Sequence, residues 1–111
     1  MQKLNPYNIF QNIPDIQEDE IFETILQNIN LKLERIISSG QITPHGKWYD
    51  QDFDEWVILL SGKAVLSFES PKDKITLLPG DYIFIESHKK HRIEYTDIKQ
   101  KTLWLALHII K

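Results

Sequence analysis

From residue 31 onward the chain changes side-chain character at every second residue and is interrupted at short intervals, a pattern that few folds accept. Leu31, Leu33, Arg35 and Ile37 alternate with Lys32, Glu34, Ile36 and Ser38, and Gly40 closes the run. Apolar runs follow at 55–60, 63–69, 74–78 and 82–86, then HRIEY at 91–95 and TLWLALHII at 102–110. Between them stand turn signals: Ser61-Gly62, Ser70-Pro71-Lys72-Asp73, Pro79-Gly80-Asp81 and Thr96-Asp97. Side chains that alternate with a period of two belong to strands, because successive residues of a strand point to opposite faces. Many short strands with turns at this spacing predict an all-β sandwich or barrel.

The segment before residue 30 carries a different pattern. In IQEDEIFETILQNI the apolar residues Ile21, Phe22, Ile25, Leu26 and Ile29 recur about every four positions, which predicts one face of a short helix. Asp15 and Glu18 have the spacing of a capping box, and Glu18, Asp19 and Glu20 suit the positive end of a helix dipole. The division expected is an arm with a short helix over 1–29 and a barrel over 30–111, one domain in all. A chain of 111 residues is too short for two ordinary domains.

Composition narrows the function classes. The chain is 41% hydrophobic and 11% aromatic, enough to build a core, so a disordered chain is not expected. A net charge of −3 with one tight basic cluster, Lys89, Lys90 and Arg92, gives no phosphate-binding surface, so nucleic acid is not an expected partner. Without cysteine there is neither a disulfide nor a thiolate metal site, and any metal must use nitrogen and oxygen ligands. The first residues lack the apolar core of a signal peptide and no stretch is long enough to span a bilayer, so a cytoplasmic protein with no membrane partner is expected.

The acidic run WYDQDFDEWVILLSG, residues 48–62, raises the question of chemistry. By parity Glu55 shares a face with Val57 and Leu59, while Trp56, Ile58 and Leu60 face the other way. His91 shares a face with Ile93 and Tyr95, with Arg92 and Glu94 opposite. An inward glutamate and an inward histidine suit a first-row divalent ion such as Fe, Mn, Ni or Zn. Asp50 is the best third donor by charge, or else a loop residue. Asp52 and Asp54 are expected in solvent, Asp54 because its parity is opposite to that of Glu55. Trp48, Tyr49, Gln51 and Tyr95 are expected to line the pocket. His45 and His88 read as loop residues, and His108 as a core histidine or a cavity residue. Arg35, sharing a face with Leu33 and Ile37, reads as the partner of an acid.

The stretch from Gly40 to Gly62, with Glu55 ahead of the turn glycine, is similar to the first cupin motif, and PGDYIFIESHKKHRIEY is similar to the second. The resemblance covers about residues 30–110 and implies a small antiparallel jelly-roll barrel. It places the cupin glutamate ligand on Glu55 and the second-motif histidine on His91. Where cupins carry a His-x-His pair, this chain has Trp48 and Asp50 or Tyr49 and Gln51, depending on the gap before Glu55. Three functions remain open at this point. One is a divalent-metal site acting on a small organic molecule, with Asp50, Glu55 and His91 as ligands. The second is a metal-free cupin that binds or senses a small ligand without catalysis. The third is a structural homodimer built on outward apolar faces such as Trp56, Ile58 and Leu60, and a homodimer is expected in any case.

Overall fold

A computed structural model of the chain describes residues 4–15 and 18–110. Among the described residues eight strands account for all of the regular structure: β1 (Ile21–Gln27), β2 (Leu31–Ser38), β3 (Asp54–Ser61), β4 (Ala64–Phe68), β5 (Asp73–Leu77), β6 (Tyr82–Ile85), β7 (His91–Thr96) and β8 (Thr102–Ile109). They form a five-stranded sheet in the order β1-β2-β8-β3-β6 and a three-stranded sheet in the order β5-β4-β7, every pairing antiparallel. The two sheets face each other as an antiparallel jelly roll. Val57, Leu59, Trp104 and Ala106 from the larger sheet meet Leu66 and Phe68 from the smaller one to make the buried core.

No helix occurs among the described residues, and the helix expected before residue 30 is a strand. Ile21, Phe22, Thr24 and Ile25 are β-branched or aromatic, which suits a pleated surface. Asn28 turns the chain back into β2, its side-chain oxygen accepting from the Asn30 and Leu31 backbone amides. A bulge between Thr24 and Leu26 inserts an extra residue into β1 and shifts its parity, which gives the apolar residues their helix-like spacing. The expected boundary at residue 30 therefore falls inside a hairpin whose first strand is the edge of the larger sheet. Of the expected capping box, Asp15 and Glu18 flank two residues outside the described ones.

Register fixes which residues face the interior. Phe22, Ile36, Trp104 and Leu59 stand side by side across four strands; Thr24, Glu34, Ala106, Val57 and Ile83 form the next inward row; Lys32, His108, Glu55 and Ile85 form the third. The Leu33, Arg35, Ile37 face of β2 is the outer one. Arg35 there pairs with Glu23 at 2.6 Å and donates to the backbone carbonyls of Ile9, Gln11 and Asn12, so it straps the N-terminal arm onto the sheet. Gly62 closes the β3–β4 turn at φ +87°, and a Cβ there would lie 2.3 Å from the Thr102 hydroxyl. No helix among the described residues is long and apolar enough to cross a membrane.

Candidate functional site

Between the sheets lies a cavity of about 110 Å³, lined from above by Tyr49 and Gln51, from the larger sheet by Glu34, Glu55, Trp104 and His108, and from the smaller by Leu66, His91 and Ile93, with Glu20 and Phe22 at its edge. The polar side chains are held by a connected set of bonds. The His108 ring places Nε2 3.0 Å from Glu55 Oε2 and 3.5 Å from Glu34 Oε1, and Lys32 reaches the other oxygen of Glu34 at 3.3 Å. Carboxylates only accept, so His108 Nε2 carries the proton. Phe53 stacks on the ring with centroids 4.4 Å apart, fixing its plane. Glu55 Oε1 has no hydrogen-bond partner among the described residues.

His91 enters from the opposite sheet and is only 5% exposed. Its Nδ1 lies 2.9 Å from the Lys89 carbonyl. A carbonyl only accepts, so Nδ1 bears a proton, and in that tautomer Nε2 is an acceptor facing the cavity. Tyr49 is locked beside it by a two-way backbone bridge, 2.8 Å from Tyr49 N to His91 O and 3.2 Å in return, with ring centroids 5.6 Å apart. Burial, and then the charges of Glu20 and Glu55, push the Tyr49 phenol above its ordinary value against a hydrogen bond with Thr43, so it stays protonated. On the other wall the Trp104 indole N–H donates to Ser38 Oγ at 3.0 Å, and the Ser38 hydroxyl donates to Glu20. Burial raises the Glu20 carboxyl above its ordinary value, partly offset by Ser38.

Glu55, His91, Tyr49 and Gln51 thus come to one cavity, while three other residues named from the sequence do not. Asp50 turns outward and takes His88 Nδ1 at 2.8 Å on the rim. Trp48 stacks under Arg92 on the outer side of the smaller sheet, 6.0 Å from guanidinium carbon to ring centre. Tyr95 pairs with Val65 while Ile93 pairs with Leu66, so an extra residue at Glu94 flips Tyr95 to the outer face. Asp54, expected in solvent, is buried: its carboxylate accepts the Ser87 backbone amide at 2.8 Å and anchors the loop after β6. His108, Glu34 and Glu20 are the cavity residues that the reading of the acidic run left out. The Trp104, Ala106, His108 parity was the signal for the first of them.

This geometry also decides between the two alignments of the His-x-His positions. Tyr49 and Gln51 face the cavity, whereas Trp48 and Asp50 do not. A protonated phenol and a carboxamide therefore stand where a metal site needs imidazoles, and Glu55 is already engaged by His108. Among the described residues no group of three His, Asp or Glu side chains has metal-binding geometry. The donor set does not fit a divalent ion.

No protein-family model matches the chain, and no curated protein matches it. Solved structures do. A candidate mannose-6-phosphate isomerase from Ralstonia eutropha JMP134 is 40% identical over 97% of this chain and 100% of its own, with a TM-score of 0.92. A cupin superfamily protein from Desulfitobacterium hafniense DCB-2 is 21% identical over 89% of this chain and 84% of its own, with a TM-score of 0.74. Hydroxypropylphosphonic acid epoxidase from S. wedmorenis shares the fold at 13% identity, covering 83% of this chain and 51% of its own, with a TM-score of 0.69.

Proposed function

The chain belongs to the cupin superfamily, and on that premise we propose that its barrel binds a small organic molecule without a metal ion. One observation carries the reading: the cavity positions that would complete a metal site are held by Tyr49 and Gln51, while the carboxylate that would anchor it is bonded to His108. What remains is an apolar pocket with a few convergent polar groups, the usual build of a small-ligand site. Glu55, His91, Tyr49 and Gln51 are the residues that contact the ligand. His108 and Glu34 hold Glu55 in place.

An amide-detected NMR titration of chelator-treated protein with a small-molecule library tests this. Shifts are expected at Val57, Leu66, Ile85 and the Trp104 indole N–H, all of which line or border the cavity. Binding that appears only after metal is added, or no shift at these positions, would overturn it.

A second feature supports assembly into a homodimer through the outer face of the larger sheet. Leu26, Leu33, Leu107, Trp56 and Phe84 stand in register across all five strands, and Leu26 and Phe84 are about half exposed. Tyr82, next to Trp56 at 5.5 Å between ring centres, extends the patch. A continuous apolar patch of this kind on a small protein marks an interaction surface, and a second copy of the same face is the occupant that a twofold contact would bring to it. Light scattering should give about twice the 13.2 kDa chain mass, and Trp56→Glu should return it to the chain mass. A monomeric wild type at micromolar concentration would remove the dimer.

A further inference from the structure

The polar atoms that face the cavity are mostly acceptors, and this restricts what can enter. Three carboxylates, Glu20, Glu34 and Glu55, line it, and among the described residues no lysine or arginine does. Lys32 touches Glu34 from the strand end with a side chain one-third exposed, and His108 occupies one oxygen of Glu55. Glu55 Oε1 and the bare Nε2 of His91 are left as acceptors without donors, the latter on a side chain that is nine-tenths buried or more. Both atoms open onto the cavity rather than being sealed in the protein, so a ligand that brings donors replaces the water that otherwise serves them.

We infer that the cavity takes a small organic cation, a protonated amine on a short apolar body, with the amine between Glu55 and His91 and the body against Ile36, Val57 and Trp104. The inference rests on the proposal above that the barrel is a metal-free ligand pocket, and it names the ligand's chemistry. An ammonium group carries three donors and no acceptor, which complements this lining. The aromatic rings of Tyr49, Phe22 and Trp104 around the pocket add attraction for a cation over a ring face. The field at the entrance has the right sign, since the charges of Glu20 and Glu55 help to raise the Tyr49 phenol. A phosphate or carboxylate would meet carboxylates, with no guanidinium or ammonium among the described lining residues to hold it. A phosphorylated sugar, the substrate in the name of the Ralstonia neighbour, therefore has no anchor in this cavity.

The test uses three molecules of one shape and different charge, isobutylamine, isobutanol and isobutyrate, with mannose 6-phosphate as a fourth. Each is titrated into the full chain and followed at the Trp104 indole N–H and the cavity amides. The amine should bind at least about tenfold more tightly than the alcohol, with no binding of isobutyrate or mannose 6-phosphate. Glu55→Gln should reduce the amine's advantage over the alcohol to less than about twofold, and the amide signals of strands away from the cavity report that the variant is folded. His91→Ala takes its place if Glu55→Gln does not fold, with the same expectation. Equal or tighter binding of either anion, or of the alcohol, overturns the inference and leaves the pocket itself standing. An amine preference that survives both substitutions also overturns it. Failure of all four molecules to shift the cavity signals overturns the inference and the pocket together.

Discussion

The bond between His108 and Glu55 ties the two halves of the account, since it both orients the cavity carboxylate and occupies it. Replacing His108 with alanine leaves Glu55 and Glu34 facing each other without the intervening imidazole, with side chains only 12% and 6% exposed. Removing one partner of a buried hydrogen bond so that a polar group is left unsatisfied typically costs about 1–3 kcal/mol. Here the high end applies, about 3 kcal/mol, because the group left unpaired is a carboxylate facing a second carboxylate, with Lys32 reaching only Glu34. The lost stacking on Phe53 is included in that figure and contributes about 0.5–1 kcal/mol. In a Glu55→Gln background the same substitution should cost about 1 kcal/mol, from the stacking and the weaker 3.5 Å contact with Glu34. The coupling energy expected from the double-mutant cycle is therefore about 2 kcal/mol. Urea unfolding followed by tryptophan fluorescence measures it, with Trp104 in the core as the reporter. A coupling within about 0.5 kcal/mol of zero would mean that His108 does not act on Glu55, because independent sites add to within that margin.

Two further outcomes follow from the geometry. The Glu20 carboxyl is raised in the folded chain, so the folded state holds its proton more tightly than the unfolded one, and the associated stability is lost as pH rises from 4.5 through the raised value. Glu20→Gln, which keeps an acceptor for Ser38, should therefore gain melting temperature over the wild type at pH 7 and show no gain below pH 4.5; equal differences at both would contradict the assignment. Arg35→Met removes the bonds to the Ile9, Gln11 and Asn12 carbonyls and leaves the one from Lys101 to the Pro14 carbonyl, so limited proteolysis should cut residues 4–12 about tenfold faster or more while the barrel's melting transition persists; an unchanged cleavage rate would mean that Arg35 does not hold this part of the arm.

The strands of the barrel were legible because alternation and turn glycines are local signals. β2 to β8 begin and end within a few residues of the apolar runs, and Gly62 and Gly80 sit in the turns at positive φ. The errors share a cause. A bulge shifts side-chain parity without leaving a mark in the sequence, and one bulge made β1 look helical while another turned Tyr95 outward. The inner face of β2 was hidden for a different reason. Leu33, Arg35 and Ile37 look like a core face because the outer surface is also covered, by the arm at one end, so apolar character alone does not separate inside from outside. Glu34 was missed with it. Glu55 and His91 were legible from parity. Their partners were not, because the register that sets His108 opposite Glu55 is a tertiary fact. Asp54 was placed in solvent by parity, whereas its burial comes from a backbone amide of the β6–β7 loop, a contact 33 residues away.

Whether the barrel holds a metal ion is measured by elemental analysis. The chain, purified without a histidine tag or chelator and examined by elemental analysis, should hold Fe, Mn, Ni and Zn far below one ion per chain, and added Mn²⁺ or Zn²⁺ should leave the cavity amides unshifted, because Tyr49 and Gln51 are poor donors and Glu55 is bonded to His108. About one ion per chain, lost in both Glu55→Ala and His91→Ala, would contradict the account and place a metal centre in the barrel.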